Sequence, residues 1–209
     1  MENIFGMSDD MKKDVLTYEI DGNLYVNMTN RCSNNCEFCV RNHMDTYEGY
    51  DLWLEREHSA EEFIEELKRD DLNKYKEIVF CGYGEPMYRY DAIKKIADYV
   101  HSRGAKTRIN TNGQANEILG YDATVDIKNY IDMINVSLNS SNRDKYDAEC
   151  HSIYGKDAFE MLLDFAKRCQ ANGANVILSI VDCIGEDEIN ACKKLARELG
   201  LPLRVREML

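Results

Sequence analysis

From Thr17 onward the apolar positions follow two alternating rhythms. Thr17–Ile20 and Leu24–Thr29 alternate apolar and polar residues around Asp21-Gly22-Asn23. That pattern predicts a β-hairpin with a turn tolerant of positive φ. Ile78–Cys81, Thr107–Asn110, Met133–Leu138, Asn175–Val181 and Leu203–Val205 read as further strands. Helical spacing fills the gaps between them. Ser59-Ala-Glu-Glu62 is a capping box ahead of Phe63, Ile64 and Leu67. Asp91 can cap a helix with Ile93, Ile96, Ala97 and Val100 inward and Gly104 past its end. Ile127–Ile131, Ala158–Cys169 and Glu186–Leu199 complete the predicted helices.

Counted from Leu24, six strands alternate with helices, which predicts an α/β protein with a parallel sheet covered by helices. Six units are too few for the closed eight-stranded barrel. The expected architecture is a partial (β/α)6 TIM-like barrel with parallel strands and an N-terminal β-hairpin extension. A doubly wound flat sheet is the alternative. Residues 1–16 are expected to form a polar N-terminal arm and residues 17–209 one domain.

In βα arrays the chemistry lies at the carboxyl ends of the strands. The unusual residues of this chain fall there. Cys32-x-x-x-Cys36-x-x-Cys39 directly follows the second strand, and Gly82-Tyr83-Gly84-Glu85-Pro86 follows the third. Asn110–Asn112, Ser137–Asn139 and Asp182-Cys183 end later strands. Three thiolates on one loop can hold three corners of an iron–sulfur cubane and leave one iron open for a small molecule. The same spacing with His43 could make a Cys3His zinc tetrahedron, giving a zinc-stabilised binding module without catalysis. A disulfide, or a chance grouping of buried thiols, would also fit the spacing alone.

Composition narrows the classes. Hydrophobic residues make up 44% and charged residues 31% of 209 residues, an ordinary soluble-domain balance. The formal net charge of −12 disfavours bulk nucleic-acid binding. Arg41, Arg108, Arg204 and Arg206 fall near strand ends, where a local basic pocket could form; pairing with the surplus carboxylates is their commoner fate. No apolar run reaches the ~20 residues of a membrane span, and Met1–Phe5 lacks a signal-peptide layout. A cytoplasmic protein with eight reduced or metal-bound cysteines is expected.

Taken together, these motifs resemble the radical SAM superfamily over almost the whole length from Leu24. Phe38 stands just before the third cysteine, as an aromatic residue does in that family. The resemblance implies that Cys32, Cys36 and Cys39 bind a [4Fe-4S] cluster and that S-adenosylmethionine chelates its fourth iron. It places Phe38 against the adenine, and Gly82, Gly84 and Glu85 at the methionyl ammonium. Asn110-Thr-Asn-Gly113 and Val136-Ser-Leu-Asn139 are similar to strand ends of the molybdenum-cofactor cyclase branch. They imply that Thr111, Ser137 and Asn139 reach the ribose and the methionyl carboxylate. Arg204-Val-Arg-Glu207 resembles that branch's sixth strand, near the adenine. The run from Tyr25 through Leu54 is similar to a compact radical SAM subgroup associated with TatD-type nucleases.

The implied reaction is one-electron reduction of the cluster by a donor such as flavodoxin or ferredoxin. Reductive cleavage of S-adenosylmethionine to a 5′-deoxyadenosyl radical follows, then hydrogen abstraction from a substrate. A peptide, as for an activase, or a small molecule capped by residues 42–58, fits a short barrel. Cys81 and Cys183 lie near the rim, where a hydrogen-donor role or simple packing is expected. Cys150, Cys169 and Cys192 are expected in packing. No second cysteine cluster follows the barrel, so no auxiliary cluster domain is expected. Trp53 and its neighbouring tyrosines are expected over the open barrel.

Overall fold

A computed structural model describes residues 13–207. The hairpin forms as β1 (Thr17–Ile20) and β2 (Asn23–Asn27), paired antiparallel through Asp21 and Gly22, both at positive φ. β3 (Ile78–Cys81), β4 (Thr107–Thr111), β5 (Met133–Ser137), β6 (Val176–Val181) and β7 (Leu203–Arg206) then add in parallel to β2. The strand order is β1-β2-β3-β4-β5-β6-β7, so β1 and β7 are edges and the sheet is an unclosed partial barrel. The six parallel strands match the count made from Leu24.

Six helices serve the crossovers: α1 (Ala60–Leu67), α2 (Tyr90–Ser102), α3 (Ala115–Leu119), α4 (Arg143–Cys150), α5 (Asp157–Ala171) and α6 (Glu186–Leu199). The Ser59/Glu62 capping box forms in both directions. Other boundaries differ from the expectation. Asp91 does not cap α2; it lies within the first turn, because Pro86–Arg89 forms a 3-10 turn capped by Glu85. Ile127–Ile131 is only a 3-10 turn at Ile127–Asn129, and the crossover helix is α3, ended by Gly120 in the left-handed region. Helix α4 was not foreseen: its sequence is polar and buries only Tyr146 and Cys150, so it carries no apolar rhythm.

Strand alternation divides the sheet sharply. Val26, Phe80, Ile109, Ile134, Val136, Leu178 and Ile180 belong to the main core with the helices. Burial of one such side chain is worth roughly 1.5–3 kcal/mol. The opposite face carries Tyr25, Asn27, Cys81, Arg108, Asn110, Asn135 and Ser179, which lie outside that core. The half-barrel is therefore stabilised mainly on its helix-covered side and largely polar within, with Val79, Ile177 and Val181 interspersed on the inner face.

Residues 1–12 of the expected arm lie outside the described residues. At its described end Asp14 is held, not loose: Oδ2 is 2.7 Å from Nε2 of His58, and Glu55 donates its N–H to the same carboxylate. Among the described residues no helix is long and apolar enough to cross a membrane.

Candidate functional site

The cysteine loop leaves β2 and is fixed from three sides. Asn30 pairs both ways with the Leu54 backbone, at 2.7 and 3.1 Å. From the end of β4, Asn112 donates to Ser33 Oγ at 2.8 Å and Gln114 donates to Asn34 Oδ1 at 2.8 Å. From α4, Tyr146 OH accepts from Asn34 and Gln114 at 3.0 and 3.2 Å, while Asn35 and Glu37 donate their N–H groups to the Cys150 and Glu149 carbonyls. Arg41 donates to the Asn30 and Asn34 carbonyls. Buried polar networks rigidify only when every member is paired, and this one is closed by Ser152 donating to Gln114 Oε1. Gln114, Tyr146 and Ser152 had no signal in the sequence that marked them as supports of the loop.

Cys32, Cys36 and Cys39 are each half-buried. Burial pushes the Cys32 thiol up to about 12. A hydrogen bond with Cys150, then burial, raises Cys36, and burial raises Cys39. These thiols stay protonated until a cation draws the proton off, as binding by metal does. Three soft donors on one rigid loop suit the corners of an iron–sulfur cluster. Among the described residues no three His, Cys, Asp or Glu side chains converge on a point suited to one ion. His43 is turned to the Glu37 carbonyl, away from the role of fourth zinc ligand.

The glycine loop lies directly against the cysteine loop. Gly84 N–H donates to the Thr29 carbonyl at 2.9 Å and Glu85 N–H to the Arg31 carbonyl at 2.7 Å. At Gly82, with φ 125°, an added Cβ would lie 2.5 Å from Asn27 Oδ1. Tyr83 turns away and packs with Tyr18 and Leu52, and Trp53 meets its ring edge-on at 5.2 Å. The 42–58 segment thus lies over the barrel at this side, as expected for its aromatics.

Glu85 is 3% exposed and accepts three hydrogen bonds. Oε1 takes Met87 N–H at 3.0 Å and the Thr111 hydroxyl at 2.8 Å; Oε2 takes Asn112 N–H at 2.6 Å. Glu85 and Thr111, both expected at the ligand, are joined to each other. Glu85 ties the third strand's loop to the fourth strand's end. Burial raises its carboxyl to about 7, against the pull of those donors. Glu85→Gln is expected to cost about 1–3 kcal/mol, because the amide turns a donor toward a donor. The native carboxyl lies above its unfolded value of 4.5, so the native state binds the extra proton between those values. Stability therefore falls as pH rises from about 4.5 to about 7. The Gln variant should lack this slope in urea melts at pH 5 and 7.5; an unchanged slope would assign it to another group.

The other expected residues lie along the same rim. Asn139 holds φ 57°, a region that β-carbon residues enter at a cost. Its Nδ2 donates to Cys150 Sγ at 3.6 Å, and its buried Oδ1 has no partner among the described residues. Ser137 ends β5 half-buried. Phe38 packs, half-buried, against the main core. Cys81 accepts from Asn110 Nδ2 at 3.6 Å on the inner face. Cys183 is exposed, whereas Cys150, Cys169 and Cys192 are buried in packing.

Below the rim, the inner face bounds a cavity of ≈ 670 Å³ whose lining includes Tyr25, Tyr47, Arg108, Asn110, Asn135 and Arg206. Arg108 is paired, donating to Glu77 at 2.7 Å and to Asn110 Oδ1 at 2.6 Å. Asn135 Nδ2 also donates to Asn110 Oδ1, at 3.2 Å. A hydrogen-bonded chain thus crosses the lumen from Glu77 to β5.

Residues 26–199 match the profile of the radical SAM superfamily. The chain is 36% identical over 93 residues to the tungsten-containing aldehyde ferredoxin oxidoreductase cofactor-modifying protein of Pyrococcus furiosus, covering 43% of this chain and 23% of that protein. It is 24% identical over 179 residues to an uncharacterized protein of Methanocaldococcus jannaschii, covering 84% of this chain and 52% of that one. The chain thus spans about half or less of the curated relatives it matches. Streptococcus suis SuiB bound to the precursor peptide SuiA shares the fold, with a TM-score of 0.65 at 18% identity, covering 90% of this chain and 39% of SuiB. The cofactors characteristic of the matched family are S-adenosylmethionine and a [4Fe-4S] cluster. A profile that runs from β2 through α6, over a half-barrel whose cysteine loop stands at the strand ends, places this chain in the radical SAM superfamily.

Proposed function

We propose that Cys32, Cys36 and Cys39 bind three irons of a [4Fe-4S] cluster and that the chain is an enzyme cleaving S-adenosylmethionine reductively. The observation that carries this is the pinned loop: three half-buried thiols held by β4 and α4 at the mouth of a polar lumen. Held by these residues, the cluster and S-adenosylmethionine would supply, on one-electron reduction, C5′–S bond cleavage and the capacity to take hydrogen from a substrate. The residues of the chain position and shield that chemistry. Gly82 keeps the third strand's loop close to the end of β2 and Gly84 keeps it close to the start of the cysteine loop, where a side chain would intrude. Glu85 has one lone pair left on Oε2 for the methionyl ammonium after its three internal bonds. Thr111 acts through Glu85. Asn139 offers an unpaired buried acceptor, Ser137 a rim hydroxyl, and Phe38 an aromatic face beside Cys39.

The partners in this reading are a one-electron donor such as flavodoxin or ferredoxin and a peptide or small-molecule substrate, in the cytoplasm. An oxidoreductase or activase-like outcome follows from hydrogen abstraction. The contact of His43 with the Glu37 carbonyl favours the cluster over the zinc-module alternative, which needs His43 as fourth ligand. Anaerobic reconstitution tests the proposal. A brown protein with about four irons that forms 5′-deoxyadenosine with dithionite and S-adenosylmethionine is expected. A colourless protein with one tightly held zinc would overturn it.

A further inference from the structure

We propose that the inner face of the half-barrel binds a carboxylate with an adjacent N–H donor, the chemistry of an amino acid or of a peptide end. The inference takes the lumen as the reaction chamber from the radical SAM reading, but its ligand chemistry comes from the side chains alone. Three adjacent strands each present on this face a buried polar atom without a partner among the described residues: Asn135 Oδ1 on β5, Ser179 Oγ on β6 and Arg206 Nε on β7. Asn135 is 4% and Ser179 0% exposed, so neither is satisfied by bulk solvent. Ser179 stands level with Ser137 at the top of the face, and Asn135 lies below it, level with Ile177.

The donor set is specific. Arg204 pairs in register with Ser179, and Arg206 with Val181. Among the described residues neither arginine forms an ion pair, although the chain carries a formal net charge of −12. Leu203 packs toward the main core, so alternation sets Arg204 and Arg206 on the lumen side, and both line the cavity. A guanidinium fork matches a carboxylate in two parallel hydrogen bonds. Asn135 Oδ1 can only accept, because its Nδ2 is already committed to Asn110. It therefore calls for an N–H or O–H on the ligand. Glu19, Asp21, Glu48 and Glu207 also line the cavity and would repel a dianionic phosphate more than a singly charged carboxylate.

Saturation-transfer NMR on the full chain tests this with four probes: N-acetyl-L-alanine, its methyl ester, propionate and L-alanine. N-acetyl-L-alanine should bind at least tenfold more tightly than the ester, which lacks the charge, and more tightly than propionate, which lacks the N–H. Arg206→Gln should weaken N-acetyl-L-alanine at least tenfold and abolish the acid-over-ester preference. Asn135→Leu should abolish the preference over propionate. Binding of L-alanine as well would point to a free amino acid, and its exclusion to a peptide; both support the site. No binding of either acid by the unmodified chain, or equal binding by Arg206→Gln, overturns it. The probe comparison on the unmodified chain needs no variant to fold. Iron and sulfide content, measured separately, reports on the radical SAM reading, so the two can fail independently.

Discussion

Gly84→Ala is expected to destabilise the protein by about 3 kcal/mol or more, which lowers the melting temperature by about 6–12 °C in a domain of this size. An alanine Cβ there would lie 2.3 Å from the Arg31 carbonyl oxygen, 2.6 Å from that of Thr29 and 2.7 Å from the Asn30 carbonyl carbon. All three are backbone atoms, so no side chain can rotate away. The Gly84 and Glu85 N–H groups are bonded to two of these same carbonyls and hold the loops at that distance. Relief requires the cysteine loop to move, so cluster retention should fall with stability. Gly120→Ala is the comparison: φ 72° and ψ 15° place it in the left-handed region but nothing lies within 4 Å, so only about 1–2 kcal/mol of backbone strain is expected. A Gly84→Ala protein melting with the parent would show that the two loops are not packed as described.

Replacing Cys32, Cys36 or Cys39 singly with alanine is expected to abolish cluster assembly and S-adenosylmethionine cleavage together. A cubane held at three corners loses an iron–thiolate bond that no neighbouring side chain replaces in kind. His43 is bonded to Glu37, and Cys150, which touches Cys36, is itself fully buried. Cys169→Ala provides the control. That thiol is buried in α5 within the main core, so its loss should cost stability and leave about four irons in place. Iron, sulfide and 5′-deoxyadenosine measured on each variant decide the matter. Retained cleavage in any one of the three would remove that cysteine from the ligand set.

The strands and their order were legible because β2 through β6 carry apolar residues at alternate positions or in short runs, bounded by turn residues, and a parallel sheet needs little else. The positions of the cysteine and glycine loops followed from that order. What lay hidden was the support beneath them. Helix α4 is polar and was missed, yet Tyr146 and the Cys150 and Glu149 carbonyls on it hold the cysteine loop. Gln114 reads as one more polar residue after a turn, and only the fold brings it to Asn34, 80 positions away in sequence. Glu85 shows a different gap. Its motif marked it as a ligand contact, but no local pattern shows that Thr111 and Asn112 converge on it from another strand. Long-range polar pairs leave no periodic trace.

The division of the sheet into an apolar outer face and a polar inner one bears on how such a chain can change over generations. Most residues that keep it folded lie between sheet and helices, while Arg204 and Arg206 line the lumen without an ion pair among the described residues. Substitutions at Arg204 or Arg206 can therefore accumulate with little loss of fold. Drift on that face alters which molecules are accepted while the cysteine loop stays where it is. A lineage built on this half-barrel can diversify in specificity from its inside without rebuilding its frame.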